Sequence, residues 1–300
     1  MGKATRIKRE TAREKIAAQR AAARKAEMRN RIFITGGSIL GVLVILAAFL
    51  IFKAFSGSSG SSAPSSATGT ALPASVIQDL TTVPAATLES VGSGAAYPKS
   101  VSPVSAPPLT SAGKPEVLYI GAEYCPYCAT ERWAMAVALS RFGTFSGLHG
   151  IHSSSSDVYA STPSVTFYKS RYTSKYLTFT PVEEETTDQN TPLQKPTAAQ
   201  SALAAKYDNP PYTTAQGANA IPFIDFGGKY LVHGAQFNPQ LLQGKTWAEV
   251  AAALNDGTSQ IAQGADGAAN MITAAICKTT GNQPSSVCTS PAIKALQGQL

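Results

Sequence analysis

The chain has 300 residues, 44% of them hydrophobic, which is enough for one or two domains with a substantial core. Its formal net charge of +7 is concentrated at one end: residues 1–31 contain eleven basic and three acidic side chains, and the rest of the chain is close to neutral. A basic excess confined to one terminus, without basic and aromatic side chains interleaved elsewhere, argues against nucleic acid as a partner.

Residues 32–52 form an uncharged apolar run, IFITGGSILGVLVILAAFLIF. As a helix this run would be about 32 Å long, which matches the hydrocarbon core of a bilayer, so we predict a transmembrane helix. The basic residues before it predict a cytoplasmic tail at 1–31. The long charged region and the absence of an A-x-A site favour an uncleaved signal anchor over a cleaved signal peptide. The expected location is the cell membrane, with one span and an extracytoplasmic C-terminal domain.

The chain beyond the span divides by composition. Residues 53–71 are rich in Gly and Ser and are predicted to form a flexible linker. Residues 72–113 are predicted to be an N-terminal appendage, and residues 114–300 the main domain, with an insertion at about 145–215. The first predicted elements are helices near 74–80 and 84–91, a strand at 116–122, a helix at 126–142, strands at 164–168 and 176–182, and a helix at 197–207. A hairpin at 220–232 follows, turning at Gly227-Gly228. The last two elements are a helix capped by Thr246 and Glu249 that ends at 254, and a helix from 259 towards 277.

The segment GAEYCPYCATERW, residues 121–133, is the main chemical motif. Cys125 is predicted at the N-terminus of a helix, where unpaired backbone N–H groups and the positive helix end favour a thiolate. Cys128, one turn later, is predicted to be shielded and able to resolve a mixed disulfide. The motif therefore indicates thiol–disulfide chemistry.

A lone C-x-x-C also occurs in zinc sites, which need four ligands. His149 and His152 could supply two of them, but isolated histidines in a Ser-rich loop are commoner, and the second cysteine pair lacks ligand spacing. We therefore predict no metal and no cofactor.

The motif and its context resemble known proteins. A strand before CPYC, Ile-Pro before a hairpin and a C-terminal helix make residues 114–300 similar to the thioredoxin superfamily. The strings YIGAEYCPYCATERWAMAVALSRFGTFSGL, SKYLTFTPVEEETT, IPFIDFGGKY and ITAAICKTTGNQPSSVC resemble the actinobacterial and archaeal family known as domain of unknown function 929. This resemblance implies an α/β fold with a thioredoxin-like central sheet, flanking helices and a membrane tether, but no particular substrate.

The thioredoxin resemblance also implies a substrate-binding edge around the cysteines. Ile221 and Pro222 are expected to face CPYC, and the peptide bond between them is expected to be cis. The alternative is an ordinary trans proline on an edge strand. Pro126 and Tyr127 inside the motif complete the expected substrate-binding set.

Two features depart from active thioredoxin-like enzymes. Those enzymes bury a carboxylate six residues before the first cysteine, where this chain has Tyr119, and Glu123 is nearer but is expected to face outward. In addition, 97 residues separate Cys125 from Pro222, which is why an insertion is predicted.

Cys277 and Cys288 bracket a short loop, CKTTGNQPSSVC, and are predicted to form a structural disulfide. The alternative is a second redox pair that relays electrons to Cys125 and Cys128. The run Glu183 to Glu185 is expected to be a solvated turn, and Trp133 and Trp247 are expected to be packing residues.

Together these features predict a membrane-tethered, extracytoplasmic thiol–disulfide oxidoreductase. Its expected partners are exported thiol or disulfide proteins, with a possible membrane redox partner and no nucleic acid. The alternative is a non-catalytic envelope interaction module in which Cys125 and Cys128 form a structural disulfide. Neither the direction of exchange nor the client is encoded in these motifs.

Overall fold

The computed structural model describes residues 69–300 of the chain. The predicted cytoplasmic tail (1–31), the predicted transmembrane helix (32–52) and all but the last three residues of the predicted linker (53–71) lie outside the described residues. Among residues 69–300, no helix combines the length and the apolar character needed to cross a bilayer.

The described part is a mixed α/β fold. The strands are β1 (Thr70–Ala71), β2 (Val101–Pro103), β3 (Thr110–Ser111), β4 (Lys114–Gly121), β5 (Gly143–Ser146), β6 (His149–His152), β7 (Pro163–Thr166), β8 (Arg171–Ser174), β9 (Thr178–Glu183), β10 (Phe223–Phe226) and β11 (Tyr230–His233). The helices are α1 (Ala74–Thr81), α2 (Ala85–Val91), α3 (Pro126–Ser140), α4 (Ala198–Tyr207), a 3-10 helix (Pro239–Leu242), α5 (Trp247–Leu254), α6 (Gln260–Thr279), α7 (Ser285–Cys288) and α8 (Pro291–Gln297).

The central sheet is built around β4. This strand pairs antiparallel with β10 and parallel with β9, while β11 and then β2 continue the sheet beyond β10. Side chains of β4 alternate between two cores: Val117 and Tyr119 join the larger core on one face, and Leu118 and Ile120 join a smaller core on the other. Burial on both faces explains why the strand is a continuous apolar run rather than an alternating one.

Helix α3 follows the CPYC turn and packs against α6. Residues 128–139 of α3 are all buried, including the polar Thr130, Glu131 and Arg132 among otherwise apolar side chains. Trp133 is fully buried, and its indole Nε1 donates a 2.9 Å hydrogen bond to the carbonyl of Pro163. Its predicted packing role is therefore confirmed.

Local sequence signals agree with the elements that form. Thr246 and Glu249 make the predicted capping box at the start of α5, and Gly227 and Gly228 turn the β10–β11 hairpin with φ values of 66° and 73°. The early helices predicted near 74–80 and 84–91 are α1 and α2.

The predicted N-terminal appendage and the predicted insertion each contribute a strand to the central sheet. Within residues 72–113, β2 pairs with β11, and Leu80 and Leu88 join the main core. Within residues 145–215, β9 is the parallel neighbour of β4 in the central sheet.

Candidate functional site

Cys125 lies at the N-cap of α3, immediately after strand β4 and its turn. Its backbone is extended, and its Sγ accepts a 3.3 Å hydrogen bond from the backbone N–H of Cys128. Pro126 occupies the first helical turn, where the missing N–H costs nothing. The thiol of Cys125 thus takes the place of an N-capping oxygen.

The two thiols have different surroundings. Cys125 retains 5% of its surface exposed and Cys128 none, and neither is in a disulfide. Hydrogen bonds from the Cys128 thiol and N–H, working against burial, lower the pKa of Cys125. Burial raises the pKa of Cys128 well above its usual range. This asymmetry matches an attacking first cysteine and a shielded second one.

The Ile221-Pro222 segment faces the cysteines across the turn. The carbonyl oxygen of Ile221 lies 3.6 Å from Cys125 Sγ, as the acceptor of the thiol hydrogen bond, and the Ile221-Pro222 bond is cis, which confirms that prediction. The Pro222 carbonyl accepts a 2.8 Å hydrogen bond from the N–H of Gly234. The loop before it is held by two hydrogen bonds between the side-chain amides of Asn209 and Asn219, 3.1 and 3.2 Å long.

Tyr127, the third residue of CPYC, points outward. It is 40% exposed, and its ring packs edge-on against Tyr159 with the ring centroids 5.8 Å apart. The structure therefore places an exposed aromatic ring, backed by the half-buried Tyr159, two residues after Cys125.

An ion pair that the sequence did not predict lies behind the cysteines. The guanidinium of Arg132 donates to both carboxylate oxygens of Glu183, from Nε at 2.8 Å and from Nη2 at 2.7 Å, and both side chains are fully buried. The expectation of a solvated turn at Glu183 is wrong, because β9 runs parallel to β4 and pairs Glu183 with Gly121, at the edge of the CPYC turn.

Tyr119 occupies the position where the thioredoxin resemblance expects a carboxylate. Its ring lies beneath Arg132, with the guanidinium carbon 5.8 Å from the ring centroid, and its buried hydroxyl has no hydrogen-bond partner among the described residues. Burial raises the pKa of Tyr119 well above its usual range. A Cβ at position 121 would collide with this hydroxyl, so Gly121 is needed to accommodate the ring.

Glu123 does not face outward as expected. It is 4% exposed, and it accepts a 2.6 Å hydrogen bond from the hydroxyl of Thr166, because the chain after β4 turns inward over β7. Burial raises the pKa of this carboxyl. Glu123 also lines a cavity of about 310 Å³ together with His152, Asp188 and Trp247.

A second buried carboxyl lies on α3. Glu131 is fully buried, and its Oε2 accepts a 2.9 Å hydrogen bond from the N–H of Gln236, whereas Oε1 has no partner among the described residues. Burial raises the pKa of Glu131 to about 8.

The remaining predicted residues lie away from the CPYC turn. Cys277, near the end of α6, and Cys288 are joined in a disulfide, as predicted. His149 contacts the carbonyl of Gly147, and His152 packs on Trp247 with ring centroids 4.5 Å apart. Over residues 69–300, no group of three or more His, Cys, Asp or Glu side chains is placed to hold a metal ion.

Sequence patterns missed Arg132, Glu131 and Glu183, although one signal was present. Apart from Thr130, Glu131 and Arg132, residues 128–139 of α3 are all apolar, and a helix that is apolar on nearly all sides is buried. Charged residues inside such a helix must be paired or neutral, so adjacent Glu131 and Arg132 indicated buried partners elsewhere in the chain.

No curated protein and no solved structure matches the chain. A family model described as a domain of unknown function (DUF929) matches residues 100–278. The match spans strand β2 to helix α6 and includes the CPYC turn, the Arg132–Glu183 pair and Pro222. On the strength of this match over more than half of its length, the chain belongs to the DUF929 family.

Proposed function

We propose that Cys125 and Cys128 catalyse thiol–disulfide exchange with exported proteins, from a thioredoxin-like domain at residues 114–300 that is tethered to the membrane. One observation carries the proposal: Cys125 Sγ sits at the N-cap of α3, bonded to the Cys128 N–H at 3.3 Å, while the Ile221 carbonyl faces the same sulfur at 3.6 Å. A first cysteine with a lowered pKa is thereby set beside a backbone segment that can align a client.

The order of elements supports the thioredoxin-like part of the proposal. Strand β4, helix α3, the parallel strand β9, helix α4, the antiparallel hairpin β10–β11 and helix α6 occur in this order along the chain, with β5 to β8, the 3-10 helix and α5 as additions between them. A central sheet with β4 between β9 and β10, and with a cysteine pair at the start of the helix after β4, is the arrangement expected of a thioredoxin-like core.

Exchange at this site needs no cofactor. In the reduced state the Cys125 thiolate attacks a client disulfide, a bond forms between Cys125 Sγ and one client sulfur, and the other client sulfur leaves as a thiolate. Cys128 then attacks Cys125 Sγ, which closes the protein disulfide and releases the second client thiolate. The reverse sequence oxidises a client dithiol.

Client binding is proposed at the surface around Cys125. Ile221 and Pro222 would align the client backbone on one side, and Pro126 and Tyr127 would contact it on the other. The exposed ring of Tyr127, packed against the half-buried Tyr159, supplies an amphipathic surface of the kind that is enriched in binding sites.

A specific observation favours a second candidate. Cys125 is only 5% exposed, so a pair locked as a structural disulfide in a non-catalytic interaction module is consistent with its burial. The lowered pKa of Cys125 favours the enzyme, because a purely structural disulfide has no need of a stabilised thiolate.

The test is a mixed-disulfide trap with the full-length protein in its native host. Cys128→Ala leaves Cys125 able to attack and unable to be resolved, so we expect covalent client adducts that dithiothreitol releases. Cys125→Ala, with Cys128 intact and buried, is the matched control and is expected to trap nothing. Equal absence of adducts and of dithiol exchange in wild type and both variants would support the scaffold instead.

A further inference from the structure

Arg132 is placed to act on the cysteine pair. It lies four residues after Cys128 on α3, so the two side chains share one face of the helix, and it is fully buried. The apolar residues around Arg132 cannot stabilise a buried charge. The groups that contact the guanidinium therefore show how it is held.

The guanidinium is bonded on one edge and open on the other. Nε and Nη2 bind the carboxylate of Glu183, whereas the buried Nη1 has no acceptor among the described residues. The carboxylate therefore neutralises the guanidinium from one direction only, and the positive end of the resulting dipole remains available to other groups.

The backbone of Ala122 links Arg132 to both cysteines. Its carbonyl oxygen accepts a 2.7 Å hydrogen bond from Arg132 Nη2 and a 3.3 Å bond from the N–H of Cys125. The backbone of Ala122 also acts on Cys128, where it lowers the pKa that burial raises. A shift of the guanidinium would thus move the turn that sets the positions of both thiols.

The charges around the pair are unbalanced in favour of the thiolate. Hydrogen bonds from Cys128 are the main reason for the lowered pKa of Cys125, and the Arg132 charge lowers it further; for Cys128, burial raises the pKa and Arg132 opposes it. The position that would hold a carboxylate holds Tyr119, which burial keeps neutral. The charge of Glu183 raises the pKa values of Tyr119 and Glu123, and the charge of Arg132 lowers both.

Stabilising the thiolate of the reduced pair makes its disulfide form a stronger oxidant, as in thiol oxidases whose reduced form is the stabilised one. We infer that Arg132 is a positioning residue that holds the reduced pair in its thiolate form, and that the clients of this site are reduced cysteine pairs in exported chains. The inference rests on the proposed exchange activity and assigns its direction.

The reaction balances without a further group. A client thiolate attacks Cys125 Sγ of the protein disulfide, the bond between Cys125 and Cys128 breaks, and Cys128 leaves as a thiolate beside Arg132. The second client thiolate attacks the client sulfur of the mixed disulfide, which closes the client disulfide and releases the Cys125 thiolate. Two electrons pass from client to protein; of the two client protons, one reaches Cys128 and one reaches solvent. A small-molecule disulfide such as glutathione disulfide can reoxidise the pair.

The experiment measures the equilibrium of the full-length protein, in detergent, with reduced and oxidised glutathione. Removing Arg132 alone would strand the Glu183 carboxylate, so Arg132→Met is combined with Glu183→Gln to leave two uncharged partners. We expect the double variant to be a weaker oxidant by roughly tenfold or more, because Cys125 loses a nearby positive charge that lowers its pKa. Arg132→Lys keeps the charge and is expected to restore most of the oxidising strength.

Glu183→Gln alone is expected to shift the glutathione equilibrium in the direction opposite to that of the double variant. It keeps Arg132 and removes the neutralising carboxylate, so we expect a stronger oxidant and, by pH-dependent alkylation, a lower Cys125 pKa. A merely structural role would weaken folding in both variants without shifting the equilibrium in opposite directions. This arm stands even if the double variant does not fold.

The outcomes separate the inference from the proposed function. One outcome is that wild type exchanges with glutathione while the folded variants have the same equilibrium constant as wild type, or one shifted in the direction opposite to that predicted. In that case the role inferred for Arg132 is wrong, and the exchange activity stands. If wild type does not exchange with glutathione at any ratio, the proposed function itself fails.

Discussion

Tyr119 bears on the rate of the proposed thiol–disulfide exchange rather than on its equilibrium. Arg132 favours the thiolate of the reduced pair, but the neutral phenol beneath it cannot accept a proton as an ionised carboxylate would. Glu123 has a raised pKa and lines a cavity, so it is a carboxyl on this side of the turn that could exchange protons with water. We therefore expect slower exchange than in a thioredoxin with a buried acid.

The hydroxyl of Tyr119 is itself dispensable in this geometry. It is buried without a partner, and an unpaired buried hydroxyl costs about 1–3 kcal/mol. Tyr119→Phe is therefore expected to leave the free energy of unfolding unchanged or to raise it by about 1 kcal/mol, with unchanged exchange rates. Chemical denaturation measures the free energy of unfolding, and the kinetics of glutathione exchange measure the exchange rate. A clear loss of stability would show that the hydroxyl is hydrogen-bonded in the folded protein, and a clear loss of exchange rate would show that it takes part in exchange.

Glu131 predicts a pH dependence of stability. Its pKa is about 8 in the folded chain and near 4.3 in an unfolded one, so between these values only the folded chain keeps the proton. Stability should fall as pH rises through that window and level off above it. Glu131→Gln retains an acceptor for Gln236 and should make the slope shallower by about one proton.

Urea denaturation at several pH values measures that slope. Asp266 has a raised pKa of about 8 for the same reason, so part of the pH dependence remains in the variant. Identical slopes for wild type and Glu131→Gln would mean that Glu131 is ionised in the folded protein.

At the level of elements, helix α6 depends on glycines for its close approach to the early part of the domain. A Cβ at Gly267 would collide with the backbone carbonyl of Ser93, whereas a Cβ at Gly264 would meet the ring of Phe237, at 2.8 Å. Backbone cannot withdraw as a side chain can. We expect Gly267→Ala to lower the free energy of unfolding by about 1–3 kcal/mol despite the better helix propensity of Ala.

Gly264→Ala is the comparison for that variant, and it should cost less because the Phe237 ring can tilt. Thermal and chemical denaturation of both variants provide the measurement. A larger loss at Gly264 would show that the Phe237 ring is held more rigidly than the segment at Ser93.

Elements set by neighbouring residues were predictable from the sequence, and those set by distant ones were not. The capping box of Thr246 and Glu249 and the turn at Gly227-Gly228 depend on residues a few positions apart, so composition alone indicates them. The Arg132–Glu183 pair joins residues 51 positions apart, through the register of β9 on β4. No local pattern contains that register, which is why Glu183 looked like part of a solvated acidic run.

At the level of the whole molecule, the Cys277–Cys288 disulfide fixes the chain beyond α6 to the core. It closes a loop with a sequence separation of 11, and on the entropic model such a crosslink contributes about 2–3 kcal/mol. Replacing both cysteines by Ala should lower the free energy of unfolding by about that amount and leave exchange at CPYC unchanged. Loss of exchange in a variant that remains folded would favour the relay alternative.

The topology of the chain decides which clients can reach Cys125. Eleven basic and three acidic residues before position 32 predict a cytoplasmic N-terminus, so the CPYC turn should face outside. Cys125 is too buried to be a good probe, but Val158 is 67% exposed. In a background of Cys125→Ser and Cys128→Ser, we expect Val158→Cys to react with a membrane-impermeant maleimide in intact cells, and Ala21→Cys in the basic tail to react only after lysis. The opposite pattern would place the cysteine pair in the cytoplasm, where exported proteins in their folded, oxidised state would not be its clients.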